Sequence, residues 1–584
     1  MNKKNEKFWR IVFVLFLLGL FGAFFLWSMM QPFGAPPDEK ERFKIVEFIV
    51  KHGKLPHGGD PEILLYGWGF SYGFQPILSY IFSAGIVKVV SLFSDSEYII
   101  EVAGRFFNVL LGVMMAAVVW KLSSRLFKER STSLLFTFLV CLLPQCMFMH
   151  TYVNVDSLAL LSSGIIVYAW IEGLETKWNR RSCWILGIGM GLCAMSYYDA
   201  YGFLLCSIPV FVQSFVHKKT DGKGIEIEWK EMIRKGLLAG GIAFVIAGWW
   251  FIRSAILYDG DFLGLRTRDE YAEMYAFKWL KPSSAPTWHN AGFSMWDMMT
   301  QTTYFLLLAR SFVGMFEHMS LVLLPWMYPV YYAIFIIGFV GAVIALVQRG
   351  IRKKKAAVGN VQKIESVVPG TDSAVERLER SDIAKTSQGE QNQAAEKTRA
   401  NGCAMTDGIL AMKIDRQSSI IFHICMVACI IIPNILCLWA SYDVDYQPQG
   451  RYILPMIIPF MYVVAYGIRC LASAAFRKDE RLGNAIIFCA AIFVLVLALL
   501  VYKKIVFTKY YFNFINLIKS DWKTFFHFLG SNSSVAQFAE SCFRTFRCYT
   551  ATFCSFSCAL FMPALDQLFV QARSLFSFVM IELL

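Results

Sequence analysis

Two adjacent carboxylates, Asp38 and Glu39, follow a pair of prolines in the stretch PFGAPPDEKERF, residues 32–43. Because proline fixes its own backbone angle, Pro36 and Pro37 hold the chain extended just before the acidic pair. A carboxylate that is partly desolvated beside apolar residues can serve as a general base. Aspartate is also among the best residues for capping a helix, so Asp38 could instead only cap the helix predicted for EKERFKIVEFIVKHG.

Several arginines lie at or near the ends of apolar segments. The membrane topology predicted below places them on the outer side, where few cations are expected. The candidates are Arg105, Arg253, Arg266 and Arg451. A guanidinium group presents a planar fork of N–H donors that suits phosphate oxygens, so these residues could bind a phosphate or pyrophosphate at the membrane surface. Pairing with a nearby aspartate or with an ordinary lipid headgroup is the alternative for each. Arg253 and Arg451 are the strongest candidates, because each lies among aromatic residues at a helix end.

Asp156, in HTYVNVDSL, begins an apolar segment, where an ionisable group is costly and often functional. We expect Asp156 and Tyr452 to support the site or its acceptor. Further acidic residues occur in the motifs DGD and DVD, namely Asp259, Asp261, Asp443 and Asp445. Their oxygens could hold Mg²⁺ or Mn²⁺, but both motifs are weak signals, and the sequence leaves the presence of any metal open.

Membrane-spanning helices must position these residues. Hydrophobic residues make up 56% of the 584-residue chain and charged residues 17%, and the mean hydropathy is +0.48. Lipid cannot satisfy exposed backbone groups, so each apolar run of about 20 residues must cross as a helix. We predict an all-α polytopic membrane protein of about eleven transmembrane helices. The predicted spans are 11–30, 102–120, 132–149, 157–174, 182–198, 201–216, 236–257, 321–347, 419–440, 452–471 and 484–502.

Basic loops indicate the orientation of these helices. The N-terminal stretch MNKKNEKFWR is basic, which places it in the cytoplasm and the acidic loop beginning at Gln31 outside. The net charge of +13 is concentrated in short loops that this topology places inside, so we expect no nucleic acid partner. Two apolar stretches, 74–93 and 302–316, are predicted to lie at the outer surface, because counting the first as a span would invert every later loop.

Composition divides the chain into four predicted parts. The stretch after residue 348 is polar and low in aromatic residues, so it cannot bury enough apolar surface to fold alone. The end of the chain is rich in Phe and Cys without a clear period. In order, the parts are a transmembrane core (1–348, with outer loops 31–100 and 258–320), a disordered cytoplasmic linker (349–418), further transmembrane helices (419–502) and an extracytoplasmic or membrane-associated tail of unknown role (503–584).

The acidic residues, the arginines and the apolar spans together predict an outward-facing site. It has carboxylates, arginines suited to phosphate and a wide apolar flank. Nucleotide sugars are made and kept in the cytoplasm, so glycosyl transfer outside needs a donor carried on a lipid. A polyprenyl phosphate sugar fits all three features, because it has an apolar tail, an anionic linkage and a glycosyl group presented to water.

Several longer motifs follow one another in an order found in a known family. They are PPDEKERFKIVEFIVKHGKLP, YGFQPILSYIFSAG, AGRFFNVLLG, HTYVNVDSLAL, GWWFIRSAILYDGDFLG, RSFVGMFEHMSLVLLPWMYPVYY and QGRYILPMIIP. From about Phe8 to Tyr502, the chain resembles the bacterial membrane proteins called domain of unknown function 2142. That family is similar to the C-type (GT-C) glycosyltransferases, which include protein mannosyltransferases and the aminoarabinose transferase of lipid A.

This resemblance implies a GT-C-like helical bundle whose first outer loop carries interfacial helices and the catalytic acid, together with a polyprenyl-linked sugar donor. By position it makes Asp38, with Glu39 beside it, the catalytic acid, and places Arg253 and Arg451 near the donor phosphate. Near Arg42 the family usually carries a histidine.

The leading hypothesis is an inverting sugar transfer. Asp38 would accept a proton from an acceptor hydroxyl that attacks the anomeric carbon, while arginines stabilise the departing polyprenyl phosphate. By analogy with the family, the acceptor would be a glycan, teichoic acid or lipid of the cell envelope, reached from the bacterial plasma membrane. The alternatives are a flippase or transporter of lipid-linked saccharides and a non-catalytic scaffold for envelope assembly. A flippase predicts charges at mid-membrane, whereas these charges cluster at outer helix ends.

Overall fold

The computed structural model describes residues 3–218, 224–365 and 409–510, and this part of the chain is almost entirely helical. The helices of its first half are α1 (Lys3–Met30), α2 (Glu39–His52), α3 (Leu78–Val90), α4 (Glu97–Leu126), α5 (Arg130–Cys141), α6 (Pro144–Met149), α7 (Asp156–Thr176), α8 (Arg180–Ala194) and α9 (Gly202–Val212). Those of its second half are α10 (Trp229–Leu257), α11 (Leu265–Tyr275), α12 (Met295–Gln301), α13 (Tyr304–Gly314), α14 (Met327–Glu365), α15 (Arg416–Asp443), α16 (Ile457–Ala475) and α17 (Glu480–Val501).

Eight helical segments of the described chain are long and apolar enough to cross a membrane. They are Glu6–Met30, Glu97–Leu126, Asp156–Thr176, Trp229–Leu257, Met327–Ile351, Arg416–Asp443, Gly450–Ala475 and Glu480–Tyr510. Each coincides with one of the predicted spans, so the chain is an all-α, multi-pass membrane protein. The predicted total of about eleven spans is not confirmed.

The three remaining predicted spans, 132–149, 182–198 and 201–216, are occupied by shorter helices. Pro144 divides the first into α5 and α6, because proline lacks a backbone N–H and is accommodated in the first turn of a new helix. The second is α8, which has 15 residues. At 1.5 Å per residue it is roughly 22 Å long, less than the bilayer core of about 30 Å. The lengths of these helices were therefore overestimated, because the apolar composition continues past the point where the helix ends.

The predicted first outer loop contains α2 and α3, which pack together. α2 ends as predicted at Gly53, whose φ of 65° is left-handed and whose N–H bonds to the carbonyl of Ile49. The apolar residues Phe43 and Val46 of α2 are buried inside the protein, in one cluster with residues of α3 and α4. α3 has 13 residues and is too short to span, as expected for the apolar stretch 74–93.

A small hairpin between α13 and α14 lies beside the site described below. Strands β3 (Met315–Phe316) and β4 (Leu321–Val322) pair antiparallel, with Met315 opposite Val322. The turn contains Glu317 with a left-handed φ of 56°. Its carboxylate accepts hydrogen bonds from Lys509 Nζ at 3.0 Å and from Tyr510 Oη at 2.7 Å, so the end of the last long helical segment ties the hairpin down. Strands β1 (Val216–Lys218) and β2 (Ile225–Ile227) form a second antiparallel pair.

The predicted linker, 349–418, is partly structured. α14 continues to Glu365, so the start of the segment is helical rather than disordered. Near its end, the N–H of Lys128 bonds to the carbonyl of Ile409 at 3.0 Å, and Phe127 and Leu410 form an antiparallel bridge. Residues 366–408 lie outside the described residues, and so does the predicted tail after Tyr510.

Candidate active site

Asp38 lies directly before α2, where a capping residue would lie, but its side chain makes no capping hydrogen bond. Its backbone is left-handed, with φ 60° and ψ 8°, which is unfavourable for a residue with a Cβ and persists only when surrounding contacts hold it. Oδ2 of Asp38 instead lies 2.8 Å from Nη2 of Arg451 and 3.4 Å from Nη2 of Arg42. Capping is therefore not the role of this carboxylate.

Arg42 joins Asp38 to Asp156. Its Nη1 donates to Oδ2 of Asp156 at 3.1 Å, and its guanidinium carbon lies 5.0 Å from the ring centroid of Tyr72. Arg42 is 1% exposed and Asp156 is 5% exposed, and charges so deeply buried require partners. Asp156, Arg42, Asp38 and Arg451 consequently form a row of alternating charges with no net charge, which we call the charge row.

Arg451 closes the charge row from the back half of the chain. It lies in the 3₁₀ helix Gly450–Met456, and its Nη2 also donates to Tyr452 Oη at 2.8 Å. The N–H of Gly450 bonds to Ser311 Oγ at 2.6 Å, and a Cβ added at Gly450 would lie 2.1 Å from the backbone nitrogen of Phe312. Only glycine permits this approach, which places Arg451 against Asp38.

Arg451 has donor capacity that the described residues do not use. Its Nε and Nη1 are buried, and neither has a hydrogen-bond partner in the described part of the chain. The residue borders a cavity that is also lined by Pro37, Gln145, Tyr152 and Glu317. Buried N–H groups without partners are costly, so an acceptor atom that reached these groups would supply hydrogen bonds that the described residues do not.

Asp38 remains accessible within this setting, since 29% of its side chain is exposed, whereas Arg42 and Arg451 expose 2% and 4% of theirs. Burial opposes ionisation of the carboxyl, but the two guanidinium groups, that of Arg451 more than that of Arg42, outweigh it and lower the pKa of Asp38 to about 2. A hydrogen bond with Tyr72 acts in the same direction. Asp38 is thus an anion throughout the physiological range.

Glu39 and Arg105 do not share the site with Asp38. Both are 1% exposed, and Arg105 donates from Nε and Nη2 to the two carboxylate oxygens of Glu39, each at 2.7 Å. The remaining N–H groups of Arg105 bond to the carbonyls of Ser28, Gln31 and Pro32. All five donors of this arginine are therefore occupied. The expected phosphate-binding role of Arg105 and catalytic role of Glu39 are replaced by a structural one, because the pair ties α2 to α1 and α4.

Arg253 and Arg266 make their contacts away from the charge row. Arg253 donates to the carbonyl of Pro56 at 2.7 Å, and Arg266 donates to the carbonyl of Asp259 at 3.2 Å. In the described part of the chain, none of their hydrogen bonds or ion pairs reaches Asp38 or Arg451. Of the four predicted arginines, Arg451 is the one that the structure brings to the predicted acid. Donor binding by Arg253 and Arg266 stays a prediction.

The DGD and DVD motifs do not form a metal centre with their neighbours. Asp261 accepts from the N–H groups of Gly264 and Thr267 at 3.0 and 2.8 Å, and so caps the start of α11. Asp443 is hydrogen-bonded to His289. Within the described ranges, no group of three His, Cys, Asp or Glu residues is close enough to hold a metal ion. We therefore derive no step that uses Mg²⁺ or Mn²⁺.

Arg42 is the member of the charge row that sequence reasoning missed. It was overlooked because it lies on the largely apolar side of α2, beside Phe43. A readable signal existed, since Asp38 and Arg42 are four residues apart and such pairs meet on a helix surface.

Comparison with known proteins supports the resemblance drawn from the motifs. Residues 81–220 match the family model described as dolichyl-phosphate-mannose-protein mannosyltransferase. This range includes Asp156 and Arg105 but neither Asp38 nor Arg451. The match covers about a quarter of the chain, within a helical membrane architecture.

Other similar proteins are more distant. An uncharacterized protein of Aquifex aeolicus is 24% identical over 180 residues, which cover 30% of this chain and 34% of that protein. The oligosaccharyltransferase of Archaeoglobus fulgidus tethered to an acceptor peptide has a TM-score of 0.41 at 11% identity, over 83% of this chain and 54% of that one. The same archaeon's oligosaccharyltransferase AglB, in complex with an inhibitory peptide and a dolichol-phosphate, has a TM-score of 0.38 at 12% identity, over 85% and 56%. The chain spans about half the length of these solved structures and a third of the Aquifex protein.

Proposed function

We propose that this chain is a membrane glycosyltransferase that transfers a sugar from a polyprenyl phosphate donor to an acceptor on the extracytoplasmic side of a bacterial plasma membrane. The observation that carries the proposal is the state of Arg451. This buried arginine borders a cavity, contacts the partly exposed carboxylate of Asp38 and has N–H groups without partners in the described residues. The match to a protein mannosyltransferase family model adds support for sugar transfer from a lipid-linked donor.

In the proposed reaction, an acceptor hydroxyl oxygen forms a bond to the anomeric carbon of the donor sugar from the face opposite the phosphate. The bond between that carbon and the phosphate oxygen breaks, and its electron pair leaves with polyprenyl phosphate. Asp38 receives the proton of the acceptor hydroxyl, and Arg451 stabilises the charge that develops on the leaving phosphate. The anomeric configuration is inverted.

The low pKa of Asp38, about 2, limits how early the proton can move. A carboxylate of this kind is a weak base toward a neutral hydroxyl. The acceptor hydroxyl becomes acidic only after its oxygen has begun to bond to the anomeric carbon, so proton transfer follows most of the cleavage. A donor phosphate beside Arg451 also offsets part of the guanidinium charge, which raises the pKa of Asp38 while the donor is bound.

The acceptor is inferred from the side of the membrane alone. Sugar transfer at the outer face serves the cell envelope, so a glycan, a teichoic acid or a lipid is the proposed acceptor class. The N-terminus is cytoplasmic in this arrangement, and the charge row lies at the outer ends of the helices that carry it.

The test is release of polyprenyl phosphate by the full chain in lipid nanodiscs supplied with a panel of polyprenyl phosphate sugars and envelope acceptors. Arg451→Gln should raise the KM for the donor about tenfold or more, because a charged hydrogen-bond partner of the phosphate is lost. Asp38→Asn should lose turnover, and its unfolding temperature shows whether the variant is still folded.

Three results would contradict the proposal. One is the absence of turnover by the unaltered chain while a protein mannosyltransferase is active under the same conditions. Another is unchanged turnover in Asp38→Asn, which fits a scaffold. The third is appearance of intact donor on the opposite side of sealed vesicles without bond cleavage, which fits a flippase.

A further inference from the structure

The two guanidinium partners of Asp38 are held differently. Arg42 is fixed from two sides, by Asp156 at 3.1 Å and by Asp38 at 3.4 Å. Arg451 makes the shorter contact with Asp38, 2.8 Å, and borders the cavity, which Arg42 does not line. Arg451 can therefore contact both Asp38 and an incoming anion, whereas Arg42 contacts protein groups alone.

We propose that Arg42, anchored by Asp156, is the positioning residue that keeps the carboxylate of Asp38 in place while Arg451 engages the donor phosphate. The inference rests on the proposed function and extends it to two residues with no contact to the reacting atoms.

The negative charge of the donor phosphate explains why the carboxylate of Asp38 needs an anchor. A phosphate beside Arg451 brings a negative charge within several ångströms of Asp38, weakens the attraction between Asp38 and Arg451, and repels the carboxylate. The side chain of Asp38 makes no capping hydrogen bond that could hold it in place. Its left-handed backbone, with φ 60°, is unfavourable without support. Arg42 provides that support, since its N–H bonds to the carbonyl of Asp38 at 2.9 Å and its side chain contacts the carboxylate.

Asp156 is needed because Arg42 is almost fully buried. Without Asp156, a guanidinium that is 1% exposed would keep Asp38 as its one anionic neighbour among its ion pairs in the described residues. The contact between Arg42 and Asp38 would then have to hold both side chains when the donor binds. With Asp156 in place, the position of Arg42 does not depend on the state of Arg451.

Removal of this support should be visible in the pH dependence of catalysis. The groups that lower the pKa of Asp38 are Arg42 on α2, Arg451 on the 3₁₀ helix Gly450–Met456 and Tyr72 on the 3₁₀ helix Tyr72–Phe74. The hydroxyl groups of Tyr80, Tyr152 and Tyr452 also lie close enough to interact with Asp38. Loss of the Arg42 charge leaves burial opposed by Arg451 and Tyr72 alone. The pKa of Asp38 then rises from about 2, and the acidic limb of the kcat profile moves to higher pH.

The test is the charge-balanced double variant Arg42→Gln with Asp156→Asn, which leaves neither residue as a lone buried charge. We expect kcat for sugar transfer to fall about tenfold, the acidic limb of kcat to move up by about one pH unit, and the KM for the donor to stay within about twofold. The matched control is Lys51→Gln with Glu62→Gln, which removes an exposed ion pair of 2.8 Å from the same helix. This control should leave kcat, KM and the pH profile unchanged.

A single variant covers the case in which the double variant fails to fold. Arg42→Lys keeps the charge but replaces a fork that reaches two carboxylates with one ammonium group. It should lower kcat while the acidic limb stays close to that of the unaltered chain.

The outcomes separate this inference from the proposed function. An unaltered chain that transfers sugar, together with an Arg42→Lys or double variant of normal kcat and pH profile, overturns the inference and leaves the function standing. A rise in donor KM equal to the fall in kcat also overturns it, because Arg42 would then bind substrate. An unaltered chain that transfers no sugar overturns both.

Discussion

Arg451 donates a hydrogen bond from Nη2 to Oδ2 of Asp38 at 2.8 Å across 413 residues of chain. This contact joins the first outer loop to the short helix that precedes α16. It places a buried cation with unused donors next to an accessible carboxylate, and the proposed chemistry depends on that adjacency.

Asp38→Asn should bind polyprenyl phosphate more tightly than the unaltered chain, although it transfers no sugar. Asp38 and the phosphate are like charges that share Arg451, and removal of one should strengthen binding of the other by about tenfold. Titration calorimetry with a short-chain polyprenyl phosphate measures this. Glu41→Gln on the same helix is the control and should leave the affinity unchanged. Weaker binding by Asp38→Asn would show that the carboxylate does not compete with the phosphate.

Glu39→Gln should destabilise the fold. The change leaves Arg105, which is 1% exposed, without its only carboxylate partner among the described residues, and such a buried charge costs about 3 kcal/mol or more. Thermal unfolding of the detergent-solubilised chain provides the measurement, with Glu62→Gln as an exposed control. A normal unfolding temperature together with lost turnover would return Glu39 to the catalytic role expected from the sequence.

The helices that local patterns specify were predicted well, and the contacts between distant segments were not. α2 and its end at Gly53 follow from apolar spacing and a glycine stop, which are properties of neighbouring residues. Asp38, Asp156 and Arg451 were chosen by residue type at helix ends, and the structure brings these three together. Glu39 was paired with Asp38 by adjacency, whereas its partner Arg105 lies 66 residues away, and no local pattern encodes that choice.

Arginines at the outer side illustrate the same limit. Arg253 lies near the end of α10 and Arg451 near the start of a 3₁₀ helix, whereas Arg105 lies about two turns inside α4, and their sequence surroundings do not distinguish their roles. Only tertiary packing distinguishes an arginine with five occupied donors from one with unpaired N–H groups beside a cavity.

Stability should depend on pH through Asp38. Its pKa is about 2 in the folded chain against an ordinary value of 3.8, so ionised Asp38 stabilises the fold above about pH 4, and that contribution is lost as the pH falls towards 2. The shift corresponds to about 2 kcal/mol. Comparison of unfolding temperatures at pH 5 and pH 3 should show a smaller loss for Asp38→Asn than for the unaltered chain. Equal losses would mean that Arg42 and Arg451 do not hold the carboxylate in solution.

The side of the membrane can be read from thiol labelling in intact cells. Lys54→Cys, just after α2, should react with a membrane-impermeant maleimide, and Lys128→Cys, between α4 and α5, should react only after permeabilisation. The unaltered chain supplies the background labelling of native cysteines. The opposite pattern would place the charge row in the cytoplasm, where nucleotide sugars are available and a lipid-linked donor is not required.

The balance of two carboxylates against two guanidinium groups in the charge row also bears on turnover. The donor is a phosphodiester with one negative charge, whereas the spent carrier is a phosphomonoester that approaches two at neutral pH. A resting site with no surplus cation offers the doubly charged carrier no extra attraction, and Asp38 repels it more strongly than it repels the donor. Under the proposed function, the site would not retain its by-product tightly, and the carrier lipid could return for another sugar.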